Sequence, residues 1–159
     1  MSVAFTREED YEAQASDLPD RPVSPHPNLV TQSGLDAIDQ ALAEARAAYS
    51  AAQAAGDVSS DRTAMARATR DLRYWSQRRA NAQLTLPEPL AGTVRFGGRV
   101  QIAREDGREQ RFRIVGEDEA DPAAGLISYV SPLARAVLGR VQGEVVEVSG
   151  AEVEILGVD

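Results

Sequence analysis

The stretch QAAGDVSSDRTA, residues 53–64, separates two segments that share one apolar rhythm. Before it, Leu35, Ile38, Leu42, Ala45, Tyr49 and Ala52 recur at alternating intervals of three and four; after it, Met65, Ala68, Leu72, Trp75, Arg79 and Ala82 do the same. That alternation is the seam of a coiled-coil helix. Gly56, Asp57, Ser59 and Ser60 are residues that end one helix and cap the next. Two helices of similar length joined by so short a polar link pair most simply with each other, as an antiparallel hairpin. Each would be about 35 Å long at roughly 1.5 Å per residue. Large apolar residues lie toward the base and alanines toward the turn, so the hairpin is expected to be slender at its tip.

Upstream, LPDRPVSPHPNLV (residues 18–30) carries prolines at 19, 22, 25 and 27. Each disfavours helix at the residue before it, so residues 1–30 read as an arm or linker. His26, the sole histidine, lies within it and reads as a surface residue. Downstream, LPEPLAG (86–92) ends the helical pattern and marks a boundary. RVQIAR and QRFRIV then flank Asp106-Gly107, and EVVEV and AEVEIL flank Ser149-Gly150, each pair reading as a β-hairpin. Between them SPLARAVLG offers Ser131 as N-cap, Pro132 at the first helical position and Gly139 as terminator. The organisation expected is α+β: an arm over 1–30, a coiled-coil hairpin over 31–86, and a small antiparallel sheet crossed by one short helix over 87–159.

Composition narrows the function classes. Hydrophobic residues make up 43% of the 159 residues but aromatics only 5%, since alanine supplies much of the apolar count. A formal charge of −8 argues against general adhesion to nucleic acid while leaving room for a local basic face. The chain has no cysteine, so disulfides and thiolate metal sites are excluded and a reducing cytoplasm is the expected setting. No apolar run approaches the roughly 20 residues of a membrane span. There is no nucleophile beside a base, no phosphate-binding glycine loop and no histidine metal pair, so no intrinsic enzymatic activity or cofactor is expected.

VRFGGRVQI, IVGEDEAD and ISYVSPLARAVLG, together with NAQL at the end of the second helix, resemble the bacterial transcript cleavage factors of the GreA/GreB type. The resemblance runs from about Leu29 to the end and leaves out the arm. It implies an FKBP-like C-terminal domain that grips the rim of the secondary channel of RNA polymerase through Glu117, Asp118, Glu119, Asp121, Ser131, Pro132, Leu133 and Arg135. It also implies a hairpin entering that channel as a monomeric factor. In the family, a tip motif G-D-L-x-E-N supplies an aspartate and a glutamate that help hold a magnesium ion of the polymerase, which then cleaves its own backtracked RNA. A hard, octahedral magnesium needs such oxygen ligands.

At the tip the sequence departs from that pattern. Gly56 and Asp57 are kept, but Ser60 stands in the glutamate's place and Asp61 in the asparagine's. Serine cannot supply the missing charge, and one residue along a helix turns a side chain by about 100°. Each arm of the hairpin is also about one heptad shorter than usual in the family, which keeps the seam register and withdraws the tip by roughly 10 Å. Two readings of Asp57 and Asp61 follow. They are negative charges near the positive end of a helix capped by Ser59 or Ser60, or they assist magnesium within the polymerase complex alone.

The second helix carries Arg62, Arg67, Arg70, Arg73, Arg78 and Arg79 against Asp61 and Asp71. This excess fits a basic face toward the nascent RNA 3′ end or the channel wall, and equally a solvated helix face. GEDEAD (116–121) lacks the ordered ligand alternation of a calcium loop and reads as a solvated turn or protein contact. Leu72, Tyr74 and Trp75 read as packing. The function expected is a channel-inserting regulator of initiation or elongation. The alternatives are a stimulator of transcript cleavage, and an adapter like the regulator of nucleoside diphosphate kinase.

Overall fold

The computed structural model describes residues 18–55, 59–87 and 92–159; the side chains of residues 59–61 also lie outside the description. The rhythm of the first seam produces helix α1, Gln32–Ala55, and that of the second produces α2, Ser59–Ala80. Ile38, Leu42 and Ala45 are buried on α1 and Ala68 on α2, while Leu35, Tyr49, Met65, Leu72 and Trp75 are half-buried. Asp39, early in α1, receives a hydrogen bond from the guanidinium of Arg79, late in α2, which fixes the antiparallel sense. Here the seam differs from expectation by one position: Arg78 is 1% exposed, and Arg79 is the partly exposed partner of Asp39. An arginine can take a seam position because its long apolar stem packs like a hydrocarbon.

Two compact units divide the chain. One holds Ile38–Asn81 with the described residues before His26, and the other holds His26–Ala37 with Ala82–Asp159. In the first, the arm is applied to α2. The Arg21 guanidinium lies 3.8 Å from the centre of the Tyr74 ring and 3.5 Å from Asp71, and Arg73 reaches Asp20 at 3.3 Å. Tyr74 meets Trp75 edge to face at 4.9 Å.

The second unit begins with a parallel pair that the sequence did not announce, β1 (Asn28–Val30) against β2 (Ala82–Leu84). Its main sheet follows the expected hairpins. β3 (Arg99–Arg104) pairs antiparallel with β4 (Glu109–Val115), and β6 (Val145–Val148) with β7 (Ala151–Val158). A short strand β5 (Leu126–Ser128) joins β4 in parallel, giving the order β5-β4-β3-β7-β6. The second hairpin turns on Ser149 and Gly150, both at positive φ (52° and 83°), the mirror-image turn that matches strand twist.

Helix α3, Pro132–Val137, starts where expected: Ser131 accepts a hydrogen bond from the Ala134 N–H at 3.3 Å and Pro132 occupies the first turn. Val100, Ile102, Ile114, Val153 and Ile155 alternate inward from the strands and meet Leu133, Ala134 and Val137 of α3 in one core. Burying a side chain of this size contributes roughly 1.5–3 kcal/mol, which gives so small a sheet its anchor.

Candidate functional site

The parallel pairing of β4 with β5, Val115 opposite Ser128, brings both strands' C-terminal ends to one edge of the sheet. The loops that follow them therefore start side by side. The first loop carries Glu117, Asp118, Glu119 and Asp121, and the second leads into Ser131 and the first residues of α3, so the residues assigned by resemblance to a partner surface come from these two segments. Asp121, Pro132 and Arg135 are exposed, and Glu117, Asp118 and Ser131 half-buried. Leu133 is 9% exposed and belongs to the core, so its contribution to this surface is to hold α3 in place. The Ser131 hydroxyl is likewise occupied as the helix cap.

Glu119 has an inward task. Its carboxylate accepts from the Thr31 hydroxyl at 2.6 Å and the Ser33 hydroxyl at 2.7 Å. Thr31 in turn accepts from the Gly34 N–H at 3.0 Å, capping the first turn of α1. A Cβ on Gly34 would stand 2.9 Å from the Glu119 carboxylate, so the absence of a side chain there lets the loop close on the helix start. Tyr129, in the neighbouring loop, donates its hydroxyl proton to the Pro27 carbonyl. Sequence reasoning missed this network; its one local signal was Thr31 standing just ahead of the first apolar repeat, as an N-cap does. Glu119 thus ties the acidic loop to the start of α1, and Asp121, whose backbone pairs with Leu126, keeps its side of the loop exposed.

On the hairpin unit, the tip falls mostly outside the described residues. That holds for Asp57 and for the side chains of Ser60 and Asp61, although residues 60 and 61 are within the first turn of α2. The basic face is more definite. Arg62, Arg70 and Arg73 line one groove of about 330 Å³ along α2, with Met65, Ala66 and Thr69 as its floor and Leu18 and Asp20 of the arm beside them. Arg67 is exposed and, at 140° from Arg62 around the axis by helical geometry of about 100° per residue, is not part of that groove. Arg73 is engaged by Asp20. Among the described residues no group of three acidic or histidine side chains converges as a metal site, and no helix is long and apolar enough to cross a membrane.

The model of the C-terminal domain of the transcription elongation factors GreA/GreB matches residues 88–159. The transcription elongation factor GreA of Paracoccus denitrificans is 33% identical over 150 residues, spanning 81% of this chain and 95% of the relative. The chain belongs to the GreA/GreB family. GreA of Phenylobacterium zucineum agrees, at 35% identity over 138 residues, covering 76% of this chain and 87% of the relative. Among solved structures, the GreA factor homolog Gfh1 of Thermus thermophilus aligns over 84% of this chain and 99% of its own, at 18% identity and a TM-score of 0.39. Membership accounts for the helical hairpin followed by a sheet domain with one short helix. This family member therefore carries the expected architecture.

Proposed function

We propose that this GreA/GreB-family protein binds RNA polymerase through the loop edge of its sheet unit and lodges its hairpin in the secondary channel, regulating transcription by occupancy. Asp121, Pro132 and Arg135 would make the contact, and Arg62, Arg70 and Arg73 would face RNA or the channel wall. One observation carries the regulatory reading: Ser60 replaces the carboxylate that the family's cleavage motif needs. The helices of 24 and 22 residues support it, since they allow about 36 and 33 Å of reach at roughly 1.5 Å per residue.

A magnesium ion shared with the polymerase would polarise the scissile phosphate and the attacking water. Asp57 alone would offer it one oxygen ligand from this chain, and a single carboxylate positions such an ion poorly. The protein's own residues would instead bind and fill space. In a cleavage assay on stalled, backtracked complexes, the chain is expected to bind without raising the rate of RNA shortening. Magnesium-dependent shortening that disappears in Asp57→Ala would replace this reading with cleavage stimulation. Recovery of another enzyme from lysate without polymerase subunits would favour an adapter.

A further inference from the structure

The outer face of the main sheet bears an arginine cluster that the proposed function does not use. Arg99 of β3 is directly opposite Arg113 of β4. The Ile114 N–H bonds the Gly98 carbonyl on the flank of this pair, which makes it a non-hydrogen-bonded position, where Cα atoms approach to about 4.5 Å and side chains are closest. Like charges facing each other there are destabilising. Arg95 joins them through a turn on Gly97 (φ 79°) and Gly98, where a Cβ on Gly98 would be 3.2 Å from the Arg95 carbonyl and 3.1 Å from the Asp159 carbonyl. The three arginines line one cleft of about 560 Å³. Beyond the Arg99–Arg113 pair a second depression of about 350 Å³ brings in Arg111.

Among the described residues none of these arginines forms an ion pair. Arg113 donates through Nε to the Gly97 carbonyl at 3.2 Å, a contact that aims its guanidinium along the cleft. Asp159 lines the same cleft but forms no ion pair with the arginines, being held through its backbone to Arg99. The Nη1 of Arg95 is withdrawn from solvent and lacks a hydrogen-bond acceptor. A buried, unanswered donor is costly and calls for a bound anion or water. In a chain of formal charge −8, such a concentration of guanidinium groups on a rigid sheet is a local exception.

We propose that this cleft is an anion site for a diphosphate group, whether free pyrophosphate or that of a nucleotide. Guanidinium forks match phosphate oxygens two by two, and one diphosphate between Arg99 and Arg113 would relieve their mutual repulsion, with Arg95 adding a third positive charge to the lining of the cleft. The volume lies within the range of small-ligand clefts, about 300–1,000 Å³.

The test is calorimetric titration of the full chain, without polymerase, with inorganic pyrophosphate, inorganic phosphate and a nucleoside diphosphate. Pyrophosphate is expected to bind more tightly than phosphate. Arg99→Gln and Arg113→Gln should each weaken it about tenfold or more, as loss of a charge-assisted hydrogen bond implies. Arg99→Lys should recover part of the loss, and Arg46→Gln, at an exposed position of α1, should leave binding unchanged. Tighter binding of the nucleotide would show that its sugar or base adds contacts; equal binding would make the diphosphate the whole ligand. No heat with pyrophosphate, or heat that survives both glutamine variants, overturns the site. So does a loss in Arg46→Gln alone. Because polymerase is absent, the outcome is independent of the regulatory reading.

Discussion

At the scale of single residues, the decisive positions are those where one atom more or less changes the backbone's course. Gly116 follows β4, and a Cβ there would stand 2.3 Å from the Leu29 carbonyl oxygen. The obstacle is backbone and cannot rotate away. Gly116→Ala is therefore expected to cost about 1–3 kcal/mol, the usual range for forced overpacking, seen as a lower urea midpoint at unchanged slope. Asp106 shows the opposite kind of residue, one whose role was readable in advance from its glycine neighbour. Its carboxylate accepts from the Arg108 N–H at 3.0 Å and pairs with the Arg108 guanidinium at 2.6 Å, and the backbone bond above all holds its carboxyl below the usual aspartate range. A depressed folded value means that the turn's contribution is complete at neutral pH and is lost as pH falls through that value. A carboxyl-detected NMR titration should place the Asp106 midpoint below that of an unstructured peptide; coincidence of the two would contradict the turn geometry. Glu119 was legible as an acidic loop residue, but its bonds to Thr31 and Ser33 were not, because they span 88 and 86 positions.

At the scale of elements, periodicity carried the helices and turn chemistry carried the hairpins. Helix seams follow from local spacing, so α1 and α2 were readable, whereas the choice of Arg78 over Arg79 for burial depended on how the two helices are rotated. The parallel pairs β1·β2 and β4·β5 each include a three-residue strand and have no tight turn between the partners, so no local signal marks them. The energetic ranking along the hairpin is testable. Leu42, 6% exposed, is expected to cost about 2–5 kcal/mol on substitution by alanine. Arg79→Ala removes a partly exposed ion pair, worth about 0–1 kcal/mol. Circular dichroism melts of the two variants should keep that order, and equal losses would show that the Asp39–Arg79 contact, rather than the seam, holds the helices.

At the scale of the whole molecule, the sequence made the architecture and the family legible through the segments 114–121 and 127–139, where loop, strand end and helix cap follow one another closely. The candidate surfaces were legible only in part. The Arg62, Arg70 and Arg73 groove needed the helix to be placed in space, and its partial engagement by Asp20 needed the arm. The outward arginines of β3 and β4 alternate with core residues in sequence, so their meeting across strands depends on register. If the proposed function holds, the hairpin's point is what regulates, and its location inside the polymerase is the quantity to measure. A photocrosslinker attached through Gly56→Cys, activated in the purified complex with RNA polymerase, reads that location. The account predicts crosslinks to residues lining the secondary channel; crosslinks confined to the polymerase's outer surface, or none from a complex shown to be bound, would contradict it.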